Sequence, residues 1–292
     1  MKIKNALKPF GLFIAASGLI IAGCNKEVNL ESATPEESAI LTELTVDDAA
    51  ADEIFTEIHE QELGVLDDIG MPDIGLNNET EINQDSVGNR CFTVTITPRV
   101  LTAFPKTVII NYGNGCKGRD GKTRKGKIIT VYSAPMVRPE AIAVTRFDGF
   151  YVNNIKVEGK HTTKNNSTSD VRIFTRSVEG GKLTFPDGGV IVWNATHTNK
   201  QVAGLGTPGL PFDDAFEITG RAKGVSEKNG KRVEWSRTII EPLFKAFRCR
   251  WISKGVVHIT RNDKKAIFNF GDGTCDNKAI LIINGERKEI TL

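Results

Sequence analysis

Asp213, Asp214 and Glu217 form the best carboxylate cluster in the chain, at the end of a loop rich in glycine and proline, residues 205–212. Two carboxyls about 5–5.5 Å apart are what a retaining glycosidase needs, and loops are where function concentrates. Adjacent aspartates at a loop–strand junction are also ordinary turn and cap groups, so hydrolysis of a carbohydrate is the alternative reading and a non-enzymatic one leads. The four histidines, His59, His161, His197 and His258, show no i,i+2 or i,i+4 pairing and no His-Glu-x-x-His. They read as ordinary element residues, His59 on an acidic segment and the others on strands. No Gly-x-Ser-x-Gly elbow occurs. Gly271 to Asn277, and Asn114 with Asp120, bring side-chain oxygens close in sequence, but the spacing of an EF-hand and its closing Glu are missing. A tight hairpin accounts for the same residues. Neither a metal nor another cofactor is expected.

Two further groups invite a binding role. Lys117, Arg119, Lys122, Arg124, Lys125 and Lys127 put six cations into eleven residues. Such a run is either a solvated hairpin whose lysines guard a sheet edge or a patch for an anionic partner. An acidic polysaccharide, lipid phosphate or an envelope protein would fit. Nucleic acid does not, because aromatics are not interleaved with the cations. Trp193, Trp235 and Trp251 could form a sugar-stacking platform. The first two follow Asp-Gly and Asn-Gly turns at similar intervals, which favours repeated core positions.

The N-terminus is an address. Lys2, Lys4 and Lys8 precede an uncharged, mostly apolar run from Gly11 to Gly23. That run is too short for a bilayer of about 30 Å and suits a signal peptide. Ile21-Ala22-Gly23-Cys24 resembles the bacterial lipobox. The resemblance implies cleavage after Gly23 and acylation of Cys24, which becomes residue one of the mature lipoprotein. Two or more acyl chains hold a protein stably on a membrane. Cys24-Asn25-Lys26-Glu27 is similar to the Lys-acidic export signal of surface lipoproteins in the Bacteroidota, and Asp85-Ser86-Val87 to the O-glycosylation motif of that phylum, with Ser86 as acceptor. An outer-membrane location follows as the expectation, periplasmic or cell-surface side undecided, surface slightly favoured.

With Cys24 assigned to lipid, Cys91, Cys116, Cys249 and Cys275 remain. An even count in an oxidising compartment reads as two disulfides. An internal repeat selects the pairing. Asn111-Tyr112-Gly113-Asn114-Gly115-Cys116 matches Asn269-Phe270-Gly271-Asp272-Gly273-Thr274-Cys275, each after an apolar strand and before another. The expected bonds are Cys91–Cys116 and Cys249–Cys275. A four-cysteine zinc site would show close Cys-x-x-Cys pairs, and none is present.

The net charge of +2 hides a division. Residues 25–88 carry 18 Asp and Glu against one Lys, and residues 89–292 carry 34 Lys and Arg against 18 Asp and Glu. Either an acidic spacer stands beside a solvated basic domain, or the acidic segment covers a basic face or that face meets an anionic partner. Thr45 to Leu63 is the one expected helix. Thr45 and Asp48 suggest a capping box, and Ala51, Ile54, Phe55, Ile58 and Leu63 a docking face. The segments around it are a signal peptide (1–23), an acidic tether (24–44) and a linker (64–89).

From Arg90 the pattern is β. Phe92 to Thr97 alternates apolar residues with Thr, and later runs are separated by Asn-Gly, Asp-Gly and Asn-Asn hairpin signals. Tyr151 to Val157 reads as one strand, and Lys156 to Thr163 as a strand polar on both faces and partly in water. No helical pattern interrupts these runs, which argues against βαβ crossovers. The fold class expected for 90–292 is all-β: an antiparallel meander, sandwich or open barrel of about a dozen strands with one N-terminal helix.

Arg90-Cys91-Phe92-Thr93-Val94-Thr95, Phe104-Pro105-Lys106, Lys125-Gly126-Lys127-Ile128-Ile129 and the closing Phe270-Gly271-Asp272-Gly273-Thr274-Cys275-Asp276-Asn277-Lys278-Ala279 are similar to a family of uncharacterised β-rich envelope lipoproteins of the Bacteroidota. The resemblance implies an envelope lipoprotein and brings no catalytic residues. The expectation is a membrane-anchored lipoprotein, held by outer-membrane lipid through acylated Cys24, with a non-enzymatic binding or structural β-domain.

Overall fold

A computed structural model describes residues 32–64, 91–100, 102–118, 120–207 and 213–292. Cys24, Ser86, Arg119, the signal region and most of the tether and linker lie outside them. The described part holds one helix, α1 (Pro35–Glu62), and fourteen strands. The strands are β1 (Thr93–Thr97), β2 (Lys106–Asn111), β3 (Cys116–Lys117), β4 (Thr123–Tyr132), β5 (Ile142–Val152), β6 (Ile155–Asn165) and β7 (Ile173–Thr184). They continue as β8 (Val190–Ala203), β9 (Ala215–Lys228), β10 (Lys231–Ala246), β11 (Lys254–Arg261), β12 (Lys264–Asp272), β13 (Lys278–Ile283) and β14 (Glu286–Thr291).

All pair in one antiparallel sheet in chain order, with β3 attached beside β4. The fold is therefore an open meander; β1 and β14 do not pair, so the sheet is not closed into a barrel. Short turns enforce this order, because neighbouring strands joined by tight hairpins can only run antiparallel. Asn153 and Asn154, both at positive φ, turn the chain between β5 and β6, so Tyr151 to Val157 is the tip of a hairpin and not one strand. Asn229-Gly230 and Asn284-Gly285 turn β9 into β10 and β13 into β14, again at positive φ.

Opposed residues of an antiparallel sheet share a face. Register therefore defines a row running Thr130–Thr145–His161–Val178–Ala195–Ala222–Arg237–Ile259–Ala266 from β4 to β12. Every member is buried. A second row, Gly181–Trp193–Gly224–Trp235, alternates glycine with tryptophan. A Cβ on Gly224 would overlap the Trp235 ring, so its lack of a side chain makes the space that the indole fills. Both rows lie under α1, which contacts β5 to β8 as well as β11 and β12.

The helix begins at Pro35, not at the expected Thr45. Thr34 is the N-cap: its hydroxyl accepts from Glu37 N, and the Glu37 carboxylate accepts from Thr34 N, a complete capping box. Pro35 occupies the first turn, where its missing N–H costs nothing. Thr45 sits within the helix and donates its hydroxyl to the Leu41 carbonyl. Part of the expected tether is thus helical. Gly64, at φ +82°, follows the C-cap Leu63. The expected apolar face, Ala51, Ile54, Phe55, Ile58 and Leu63, is buried, and Leu41 and Leu44 extend it. Hydrogen bonds in both directions between Ala33 and the Asn284 side chain tie the helix entry to the last hairpin.

Both disulfides form as expected, Cys91–Cys116 and Cys249–Cys275. The turns that precede the second cysteine of each are alike in chemistry. Asn111 Oδ1 accepts from Gly113 N at 2.9 Å, and Asn269 Oδ1 from Gly271 N at 2.8 Å. The same Asx turn thus precedes each bond.

Candidate functional site

The face of the sheet on which α1 lies carries a dense set of chemically capable side chains. Asp48 and Asp52, one helical turn apart, meet Arg237 on β10: Asp48 Oδ2 is 3.3 Å from Nε and Asp52 Oδ2 is 3.1 Å from Nη1. Asp48 Oδ1 also accepts from the Trp193 indole at 2.9 Å and from Trp235 at 3.5 Å. Arg176 on β7 donates to Thr56 at 2.7 Å and lies 3.4 Å from Asp52. One turn further, His59 Nδ1 meets Thr163 Oγ1 at 2.9 Å. At the helix end Glu62, fully buried, accepts from Thr145 at 2.6 Å and faces His161 Nδ1 at 3.0 Å.

Burial and charge pull these groups in different directions. Burial raises the Asp52 carboxyl, but the Arg237 and Arg176 guanidinium groups outweigh it and hold the group well below the usual carboxylate range. Burial wins at Asp48, which is raised despite Arg237. It also holds His59 and His197 well below the ordinary imidazole value, with Arg176 adding repulsion. These imidazoles are neutral at pH 7. His161 Nε2 and His197 Nε2 have no hydrogen-bond partner among the described residues.

The expected basic patch divides. Lys122 pairs with Glu53 at 2.9 Å and with Glu57, and Arg124 pairs with Glu57 and Asp120 at 3.0 and 2.6 Å. Both cations are buried, so they are not an open surface for an external partner. Their anion is the chain's own helix. Lys127 pairs with Asp148 at 3.1 Å, and the Lys125 ammonium lies 4.0 Å from the Tyr151 ring centre. Lys117 is exposed. The acidic segment is therefore no mere spacer over 35–62, and the basic domain is not simply solvated. Lys156 to Thr163, expected partly in water, has one side buried through Val157, His161 and Thr163 and the other half-buried.

The three carboxylates of the candidate cluster have separate surroundings. Asp214 is buried and accepts from Gln201 Nε2 at 2.6 Å; burial pushes it up to about 6. Asp213 accepts from Thr207 Oγ1 at 2.6 Å, and Glu217 is exposed on β9 between Lys200 and Phe244. The oxygens of the closing turn are also engaged: Asp272 accepts from Thr274, and Asp276 from Lys278 N. Trp193 and Trp235 are buried in the core, whereas Trp251 is half-buried beside a cleft.

That cleft lies between α1 and the C-terminal strands. Val257, Phe268, Phe270 and Ile290 wall it on the sheet side, Ala49 and Ala50 on the helix side. Sequence reasoning did not find it. Its walls come from separate strands, and its helix side consists of residues next to the buried stripe. No family model, curated protein or solved structure matches the chain.

Proposed function

We propose that the chain is an envelope lipoprotein, anchored to outer-membrane lipid through acylated Cys24, whose β-domain binds a ligand and carries out no catalysis. One observation supports the binding reading above all. The titratable side chains where α1 meets the sheet are paired with one another, while a cleft with mainly apolar walls stays open beside them. Catalytic acids and bases need access to a substrate, and Glu62, His161 and His197 are buried between α1 and the sheet while Asp48 and Asp52 are held by Arg237. Such a domain holds a hydrophobic ligand, or a partner that offers one.

The anchor and the sidedness are read in one experiment on cells. Labelled palmitate should enter the wild-type chain and be absent from Cys24→Ala. Proteinase applied to intact cells should then digest the chain while sparing a periplasmic marker. Palmitate retained in Cys24→Ala contradicts the anchor. Protection until the outer membrane is opened contradicts surface display and turns the search to periplasmic partners.

A further inference from the structure

The cleft has a volume of about 180 Å³. Cavities of about 150 Å³ lined by Leu, Ile and Phe stay dry and take up benzene. The space therefore suits a ring or a chain end of about six to eight carbons, on the same volume scale. Phe268 and Phe270 meet edge-to-face with ring centres 4.8 Å apart and, with Val257 and Ile290, make the wall apolar.

Its charged side chains are already paired, Glu57 with Lys122 and Arg124 among them. Glu60 pairs with Lys245 at 2.7 Å, Glu53 with Lys122 and Arg250, and Asp48 and Asp52 with Arg237. A charged ligand would enter without a counter-ion, which is costly in a desolvated site. At the polar side the Glu60 side chain keeps 18% exposure beside Lys245 and is a carboxylate that accepts hydrogen bonds, whereas Arg237 is closed off at 1%.

We propose that this cleft binds an uncharged amphiphile: a hydrocarbon chain end against Phe268 and Phe270, with one hydroxyl group donating toward Glu60. This names the ligand class of the binding domain inferred above and rests on that reading.

The test is calorimetric titration of the purified full chain with 1-octanol, with octanoate as the charged control. Octanol should bind saturably, and octanoate at least tenfold more weakly. Ala50→Phe places a ring in the cleft from the helix and should weaken octanol at least tenfold with the melting temperature unchanged. Ala49→Leu serves the same purpose if the first variant fails to fold. Absence of saturable octanol binding overturns the proposal, as does equal affinity in a folded cleft-filling variant. Octanoate binding as well as octanol overturns the uncharged class. Competition by monooctanoylglycerol identifies the source as a lipid, and its failure beside bound octanol a free alcohol. Loss of octanol binding with palmitate labelling intact refutes the cleft and leaves the anchor standing.

Discussion

The two halves of the sheet face that packs against α1 solve the same problem with opposite chemistry. Under α1, strands β5 to β10 present Thr145, His161, Arg176, Trp193 and Arg237, each met by a polar group of the helix. Strands β11 to β13 present Val257, Ile259, Phe268 and Leu281, an ordinary apolar core. The apolar half gains stability from burial, at about 25 cal/mol per Å². The polar half gains little, because desolvating an ion pair costs about as much as its attraction returns. What it gains is orientation: Asp48, Asp52 and Glu62 accept only the helix register that meets Arg237, Arg176 and His161. The apolar half holds the helix down, and the polar half fixes where it sits.

The sharpest way to break this comparison is to remove one partner on the polar side. Arg237→Met strands Asp48 and Asp52 in the interior and should destabilise the domain by about 3–5 kcal/mol, read by chemical unfolding. Glu62→Leu alone should behave similarly toward His161 and Thr145. Glu62→Leu with His161→Phe should recover most of the loss, since an apolar pair replaces a buried polar one. Failure of the double variant to recover would show that the pair contributes net stability rather than register.

Removing Cys249–Cys275 by double alanine substitution should cost about 3.5 kcal/mol by loop-closure entropy for its 26-residue separation. Thermal melts of oxidised protein check this value, and Cys91–Cys116, with a separation of 25, should match it.

Acid should act on the polar half through its buried histidines. His59 and His197 are held well below 6.5 in the docked state. The undocked state therefore binds protons first as pH falls through about 6.5, and docking weakens below that pH. The expected loss is about 1 kcal/mol per histidine at one pH unit below the free value. The raised pKa of Asp48 works the other way. Indole fluorescence of Trp193 and Trp235 between pH 7.5 and 5.5 reports it, and His59→Phe should flatten the profile. A further effect is expected at the glycine–tryptophan row. Gly224→Ala pushes a Cβ into the Trp235 ring and should cost about 1–3 kcal/mol by overpacking, seen in the same unfolding assay.

How much of this was legible in the sequence depended on whether burial and polarity agreed. Hairpins at Asn229-Gly230 and Asn284-Gly285 were readable because only a few residues tolerate positive φ. The two disulfides followed from a repeated Asx turn. The helix start was misplaced for a physical reason. Its inward stripe runs Leu41, Leu44, Asp48, Ala51, Asp52, Phe55, His59, Glu62, and charged residues at buried positions erase the apolar period that marks a helix face. Polarity likewise made Lys156 to Thr163 look exposed. Lys122 and Arg124 looked like a patch for a partner because the Glu53 and Glu57 that neutralise them lie far away in sequence.

Hydrogen–deuterium exchange of the full chain at pH 7.5 tests the central claim most directly, which is that the acidic helix is a docked part of the domain. Amides of residues 41–62 should be protected to the same degree as those of β7 to β10. Exchange of 41–62 within seconds, with the strands still protected, would contradict the account and return the acidic segment to the status of a spacer.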